Sequence, residues 1–192
     1  MNIANESELD QFIKEYPEIN MLEILMPDMN GIVRCKRIPR GEFGTFFRHG
    51  VKGPASTTLL NVRGEFCDEV DFAGLEGDPD KLIHPIANTL APITWLKSDT
   101  AQVLATFTEL DGSAALFDSR NILIKALQPL KAMNLKPIVA TELEFYLLKN
   151  GEGNVPEPLL GKIPGTQIDQ PGTQYAMPED LWDNDAFLED VR

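Results

Sequence analysis

Two glutamates, two residues apart in an apolar run, are the strongest candidates for chemistry in this chain. Glu142 and Glu144 lie within Ile138-Val139-Ala140-Thr141-Glu142-Leu143-Glu144-Phe145-Tyr146-Leu147-Leu148. Read as a strand, this segment sends alternate side chains to opposite faces. Val139, Thr141, Leu143, Phe145 and Leu147 then form a core face. Glu142 and Glu144 share the other face, roughly 7 Å apart. Like charges at that separation, flanked by apolar groups, repel unless a cation neutralises them. Oxygen ligands of this reach suit Mg²⁺ or Mn²⁺. Such ions can clamp the phosphates of a nucleotide during phosphoryl transfer. On spacing alone, a sheet with one solvated face accounts for the pair at least as well.

The remaining reactive side chains offer less. His49 and His84 match no ligand motif and read as surface or structural residues. Cys35 and Cys67 have no CxxC and no histidine pair nearby, which excludes a zinc site or a disulfide framework. They read as free thiols of a reducing cytoplasm.

The candidate strand needs elements around it. Leu9, Phe12, Ile13 and Tyr16 recur at helical spacing before Pro17. Met21 to Met26 and Ile32 to Ile38 read as a β-hairpin about Asp28-Met29-Asn30-Gly31, because Asn-Gly accepts positive φ. Phe43, Phe46 and Phe47 predict a short helix ending at Gly50. Thr57–Val62, Lys81–Ile86, Ile93–Leu96 and Ala101–Leu110 read as further strands, with Trp95 in the core or against the sheet. Residues 64–80 read as an acidic loop. Asp111-Gly112 is a turn from which Ala115–Phe117 returns. The texture changes after residue 115: Asp118 or Ser119 can cap a helix carrying Ile122, Leu123, Ala126, Leu127, Leu130 and Met133. A strand over 137–148, a Gly- and Pro-rich loop over 151–172 and a helix start from Pro178 follow. The expected class is α+β, with one domain over 1–115 and the start of a second over 116–192.

Composition narrows the function classes. Of 192 residues, 43% are apolar and 24% charged, which suits a folded core. A formal net charge of −13 repels nucleic acid and anionic membranes, so neither is an expected partner. No apolar run nears the roughly 20 residues that span a bilayer. Met1 to Tyr16 lacks a basic n-region and an apolar h-region, so no secretory signal is expected. No GxGxxG follows a strand and no Walker A sequence is present.

Several segments in order resemble one family. Thr141-Glu142-Leu143-Glu144-Phe145-Tyr146-Leu147-Leu148 resembles the E-x-E-F-[FY]-L pattern of glutamine synthetases. Asp111-Gly112 followed by Asp118-Ser119-Arg120 resembles that family's D-G-x-P…D-P-R segment, with serine in place of proline. Gly77-Asp78-Pro79-Asp80-Lys81-Leu82, Thr89-Leu90 and Trp95 resemble its P-D-x-x-T-L…P-W stretch. The resemblance implies a β-grasp N-terminal domain followed by the truncated start of a catalytic domain, and a homo-oligomeric ring in the full-length enzyme. It implies an ATP-dependent ligase that phosphorylates the γ-carboxylate of glutamate and lets an amine attack the acyl phosphate. Glu142 and Glu144 would be metal ligands, with Mg²⁺ or Mn²⁺ as cofactor and ATP as substrate.

Two departures refine this. The family's amine site uses an acidic D-G-S-S turn, matched here by Pro54-Ala55-Ser56-Thr57, so Ser56 and Thr57 mark the turn without an acid in it. That favours a larger primary amine over ammonia, as in the γ-glutamylpolyamine synthetase branch; the alternative is that the neighbouring acids Glu65 and Asp68 serve in place of the turn's own acid. The family's remaining ligands lie beyond Arg192, so this chain alone is expected to be inactive. The alternative is a non-catalytic β-grasp module that docks a partner.

Overall fold

The computed structural model describes residues 2–66, 77–96 and 99–191. By their internal contacts these form two units, Met1–Pro137 and Ile138–Arg192. Helix α3 (Ser119–Ala132) lies in the first unit, with the sheet.

The first unit is built on a sheet of six strands. Strand β1 (Met21–Pro27) buries Leu22, Ile24 and Met26, every second residue, as a half-buried strand requires. Strand β2 (Val33–Pro39) pairs antiparallel with it, Leu22 opposite Ile38, and forms one edge. The central strand β6 (Thr100–Thr108) is buried along most of its length and runs parallel to β1, with Ile24 opposite Val103. Strand β4 (Asp80–Pro85) pairs antiparallel with the second half of β6, and β3 (Val51–Pro54) with β4. The two-residue β5 (Ala91–Pro92) pairs with the start of β6. The order is β2-β1-β6-β4-β3.

Two helices supply most of the remaining core. Helix α1 (Glu6–Glu15) begins where the Asn5 side chain accepts the Glu8 N–H at 3.1 Å, and it buries Leu9 and Phe12. Helix α2 (Phe43–His49) buries Phe43, Phe46 and Phe47. Gly50 ends it at φ 72°, and a Cβ there would lie 2.7 Å from the Ile83 carbonyl oxygen, so only glycine fits. Helix α3 is capped by Asp118, whose carboxylate accepts the Arg120 N–H. The same buried carboxylate accepts the Thr106 hydroxyl and the Phe107 N–H, tying the helix start to β6.

In the second unit, β7 (Leu148–Asn150) pairs with β8 (Pro156–Pro158). The expected C-terminal helix forms as two short ones, α4 (Pro178–Asp183) and α5 (Asp185–Val191), separated at Asn184.

Three strand expectations are corrected, over residues 57–62, 93–96 and 137–148. Residues 57–62 do not form a strand: Ala55–Thr58 is a 3₁₀ turn, closed by the Thr58 hydroxyl on the Ala55 carbonyl. Residues 93–96 contribute one bond to β6, from Ile93 N–H to Thr100 O, and then turn away. Trp95 is accordingly 70% exposed and not a core residue. The return after Asp111-Gly112 is one isolated bridge, Thr108 to Ala114. Residues 135–147 carry no helix or strand, so the long strand over 137–148 shrinks to β7. An apolar alternating run needs a paired neighbour to become a strand; the Leu147 carbonyl accepts the Leu159 N–H at 2.8 Å, and among the described residues no strand pairs with 138–146. Of the acidic loop 64–80, residues 67–76 lie outside the described residues, and so do Cys67 and Asp68.

Candidate functional site

The proposed amine-site turn is the better organised of the two candidate regions. Pro54 ends β3, and Ala55 is fully buried beneath the turn. Ser56 and Thr57 are half-buried above it. The Ser56 N–H donates to Asp78 Oδ1 at 3.0 Å, and its hydroxyl donates to Asp78 Oδ2 at 2.6 Å. The turn thus lacks an acid of its own but receives one from 22 residues away. Asp78 adopts φ 47°, a left-handed conformation that aspartate tolerates better than most residues. Its carboxylate is the functional candidate that the sequence reading missed. The signal was the Gly77-Asp78-Pro79 turn, which spacing along the chain could not connect to Ser56.

Of the substitute acids, Glu65 is occupied locally. Its carboxylate accepts from Asn61 Nδ2 at 3.1 Å and pairs with Arg63, and its N–H donates to Asn61 Oδ1. No described contact brings Glu65 to Ser56 or Thr57.

Glu142 and Glu144 are both exposed, in the segment without a paired strand. Nearby, Phe145 packs edge-on against Phe187 with ring centroids 6.1 Å apart. Among the described residues, no group of three or more His, Cys, Asp or Glu side chains is gathered to hold a metal ion. Two carboxylates nevertheless fit the chemistry of Mg²⁺, which takes one or two protein carboxylates and completes its octahedron with water and substrate phosphates. They would supply part of a coordination shell and need further oxygen ligands.

The other reactive groups read as structural. His49 is exposed, while His84 is half-buried against Gly50, and burial pushes its imidazole pKa down. Cys35 is exposed on edge strand β2. No described helix is long and apolar enough to cross a membrane.

No protein-family model matches the chain. It is 32% identical over 171 residues to the γ-glutamylputrescine synthetase PuuA of Escherichia coli, a match covering 85% of this chain and 34% of that protein. It is 30% identical over 151 residues to a glutamine synthetase of Mycobacterium tuberculosis, covering 76% of this chain and 31% of that one. The chain spans about a third of the length of these curated relatives. In fold it is similar to the glutamine synthetase of Plasmodium falciparum, with a TM-score of 0.51 over 69% of this chain and 24% of that one, at 16% identity. Sequence and fold together match this chain to the N-terminal portion of the glutamine synthetase family.

Proposed function

We propose that this chain is the N-terminal segment of an ATP-dependent ligase that joins the γ-carboxylate of glutamate to a primary amine larger than ammonia. The observation that carries this reading is the alignment of 85% of the chain with a γ-glutamylputrescine synthetase. The ordered motifs that end in Glu142-Leu143-Glu144 support it. In the proposed reaction the γ-carboxylate attacks the terminal phosphorus of ATP, giving an acyl phosphate and ADP. The amine nitrogen then attacks the acyl carbon, phosphate leaves and the nitrogen loses a proton. Glu142 and Glu144 would hold Mg²⁺ or Mn²⁺, which supplies charge neutralisation on the phosphates.

We read the sheet as a β-grasp: a β1–β2 hairpin, helix α2 after it, and β6 parallel to β1 at the centre. Residues 138–147 would become a strand only against neighbours in a complete catalytic domain. In this reading the enzyme is a cytoplasmic homo-oligomeric ring, and the 192 residues alone are inactive. The hydrogen bonds from Ser56 to Asp78 support this reading: if the 54–57 turn is the counterpart of the family's amine-site turn, the Asp78 carboxylate would lie beside a cationic acceptor.

The test is an acceptor panel on the full-length product of the reading frame. ATP cleavage dependent on glutamate and on putrescine or a similar amine, with little response to ammonium, supports the proposal. A preference for ammonium overturns the acceptor assignment. A second reading, a partner-binding β-grasp module, is favoured by the self-contained core of the first unit. A reading frame that stops at Arg192 would favour it over the ligase.

A further inference from the structure

One buried carboxylate shapes the β1–β2 turn, and that turn grips the loop carrying Ser56 and Thr57. Asp28 is 2% exposed. Its Oδ1 accepts the backbone N–H groups of Asn30 and Ile32 at 2.8 and 2.9 Å. Its Oδ2 accepts both Nε and Nη2 of Arg34, at 3.0 and 2.8 Å. All four bonds stay within the β1–β2 hairpin, so Asp28 fixes where the hairpin's donors are aimed.

Three of those donors reach one loop. The Met29 N–H donates to the Thr58 carbonyl at 3.0 Å. Asn30 Nδ2 donates to the Leu60 carbonyl at 2.7 Å, and Arg34 Nη2 to the Asn61 carbonyl at 3.4 Å. Residues 55–61 belong to no strand, so these bonds take the place of a sheet ladder. On its other side the loop is held by Asp78 through Ser56. A loop fixed between a buried carboxylate and an exposed one holds its hydroxyls in a set position.

We propose that Asp28, acting through Asn30 and Arg34, is the positioning residue of the 55–61 loop and thereby sets affinity for the acceptor amine. The second clause rests on the ligase reading given above; the first does not. Asp28 touches no substrate in this arrangement. Its effect is transmitted by the turn, and its loss frees the loop while β1 and β6 stay paired.

The experiment has two arms. Hydrogen exchange on the 192-residue chain compares wild type with Asp28→Asn, Arg34→Lys and Asn30→Ala. The last two leave the buried carboxylate in place and keep the test valid if Asp28→Asn does not fold. Exchange over residues 55–61 should rise about tenfold in all three variants, with peptides from β1 and β6 within about twofold of wild type. Unchanged exchange at 55–61, or an equal rise across the sheet, overturns the positioning role. In the full-length ligase, Arg34→Lys should raise KM for the amine about tenfold and leave KM for ATP and glutamate near wild type. A general fall in kcat with KM for the amine unmoved overturns the link to the amine. If the full-length protein uses no amine, the ligase reading fails, and the exchange arm still decides the positioning role.

Discussion

Replacing Asp118 tests how the first unit joins helix to sheet. Asp118 is 5% exposed and its carboxylate serves three donors: the Arg120 N–H, the Thr106 hydroxyl and the Phe107 N–H. Asp118→Ala removes an N-cap, which costs about 1 kcal/mol. It also leaves the Phe107 N–H and the Thr106 hydroxyl buried without their acceptor, at about 1–3 kcal/mol each. Thr106 is fully buried, so water cannot easily replace the lost partner. Allowing for some relaxation, the expected loss is about 3–4 kcal/mol. Asp118→Asn keeps one oxygen acceptor; turned to Thr106 and Phe107, it forfeits only the cap bond to Arg120, so its loss should be near 1 kcal/mol. Urea unfolding with linear extrapolation measures both. A loss below about 1 kcal/mol in Asp118→Ala, or an equal loss in the two variants, would show that this carboxylate does not join the helix to the sheet.

Further outcomes follow from other sites. For Asp28, burial works to raise the carboxyl pKa, but Arg34 and the amides of Ile32 and Asn30 outweigh it and hold it below the usual carboxylate range. Its contribution is therefore complete above the unfolded value of about 3.9 and lost as pH falls through the lower folded value. Acid titration of wild type should show that loss, and Asp28→Asn should flatten the same limb. Gly50→Ala should destabilise by at least about 1 kcal/mol, because it adds left-handed strain to a clash with the Ile83 carbonyl; thermal melts would show it. Both tryptophans are mostly exposed, Trp95 at 70% and Trp182 at 69%. Acrylamide should quench the folded chain nearly as well as the unfolded one, and a strongly shielded tryptophan would contradict the placement of Trp95. Mn²⁺ binding to the 192-residue chain should be weak and should vanish in Glu142→Ala or Glu144→Ala; unchanged binding in both removes these residues as ligands.

What the sequence revealed depended on whether the signal was local. The β1–β2 hairpin was legible because Asn30-Gly31 marks the turn and Leu22, Ile24 and Met26 alternate. Helix α3 was legible from Asp118 and its apolar spacing. Strand β3 was hidden because Gly53 and Pro54 look like breakers, yet Gly53 lies where a Cβ would meet Ile83 Cδ1 at 2.5 Å. The Thr57–Val62 run carries strand-forming residues, but the donors of the β1–β2 turn claim the carbonyls of Thr58, Leu60 and Asn61. The parallel pairing of β1 with β6 joins residues about eighty positions apart, beyond the reach of periodicity. The same limit hid Asp78 from Ser56. Residues 138–146 illustrate the converse, a strand-like pattern without a described partner strand.

The most direct test of the ligase assignment is product formation by the full-length protein given ATP, Mg²⁺, glutamate and putrescine. A γ-glutamyl amide should appear by mass spectrometry, with one ADP formed per amide and both lost when Glu142 and Glu144 are replaced by alanine. ATP cleavage independent of the amine, or no amide with any primary amine or ammonium, would contradict that assignment.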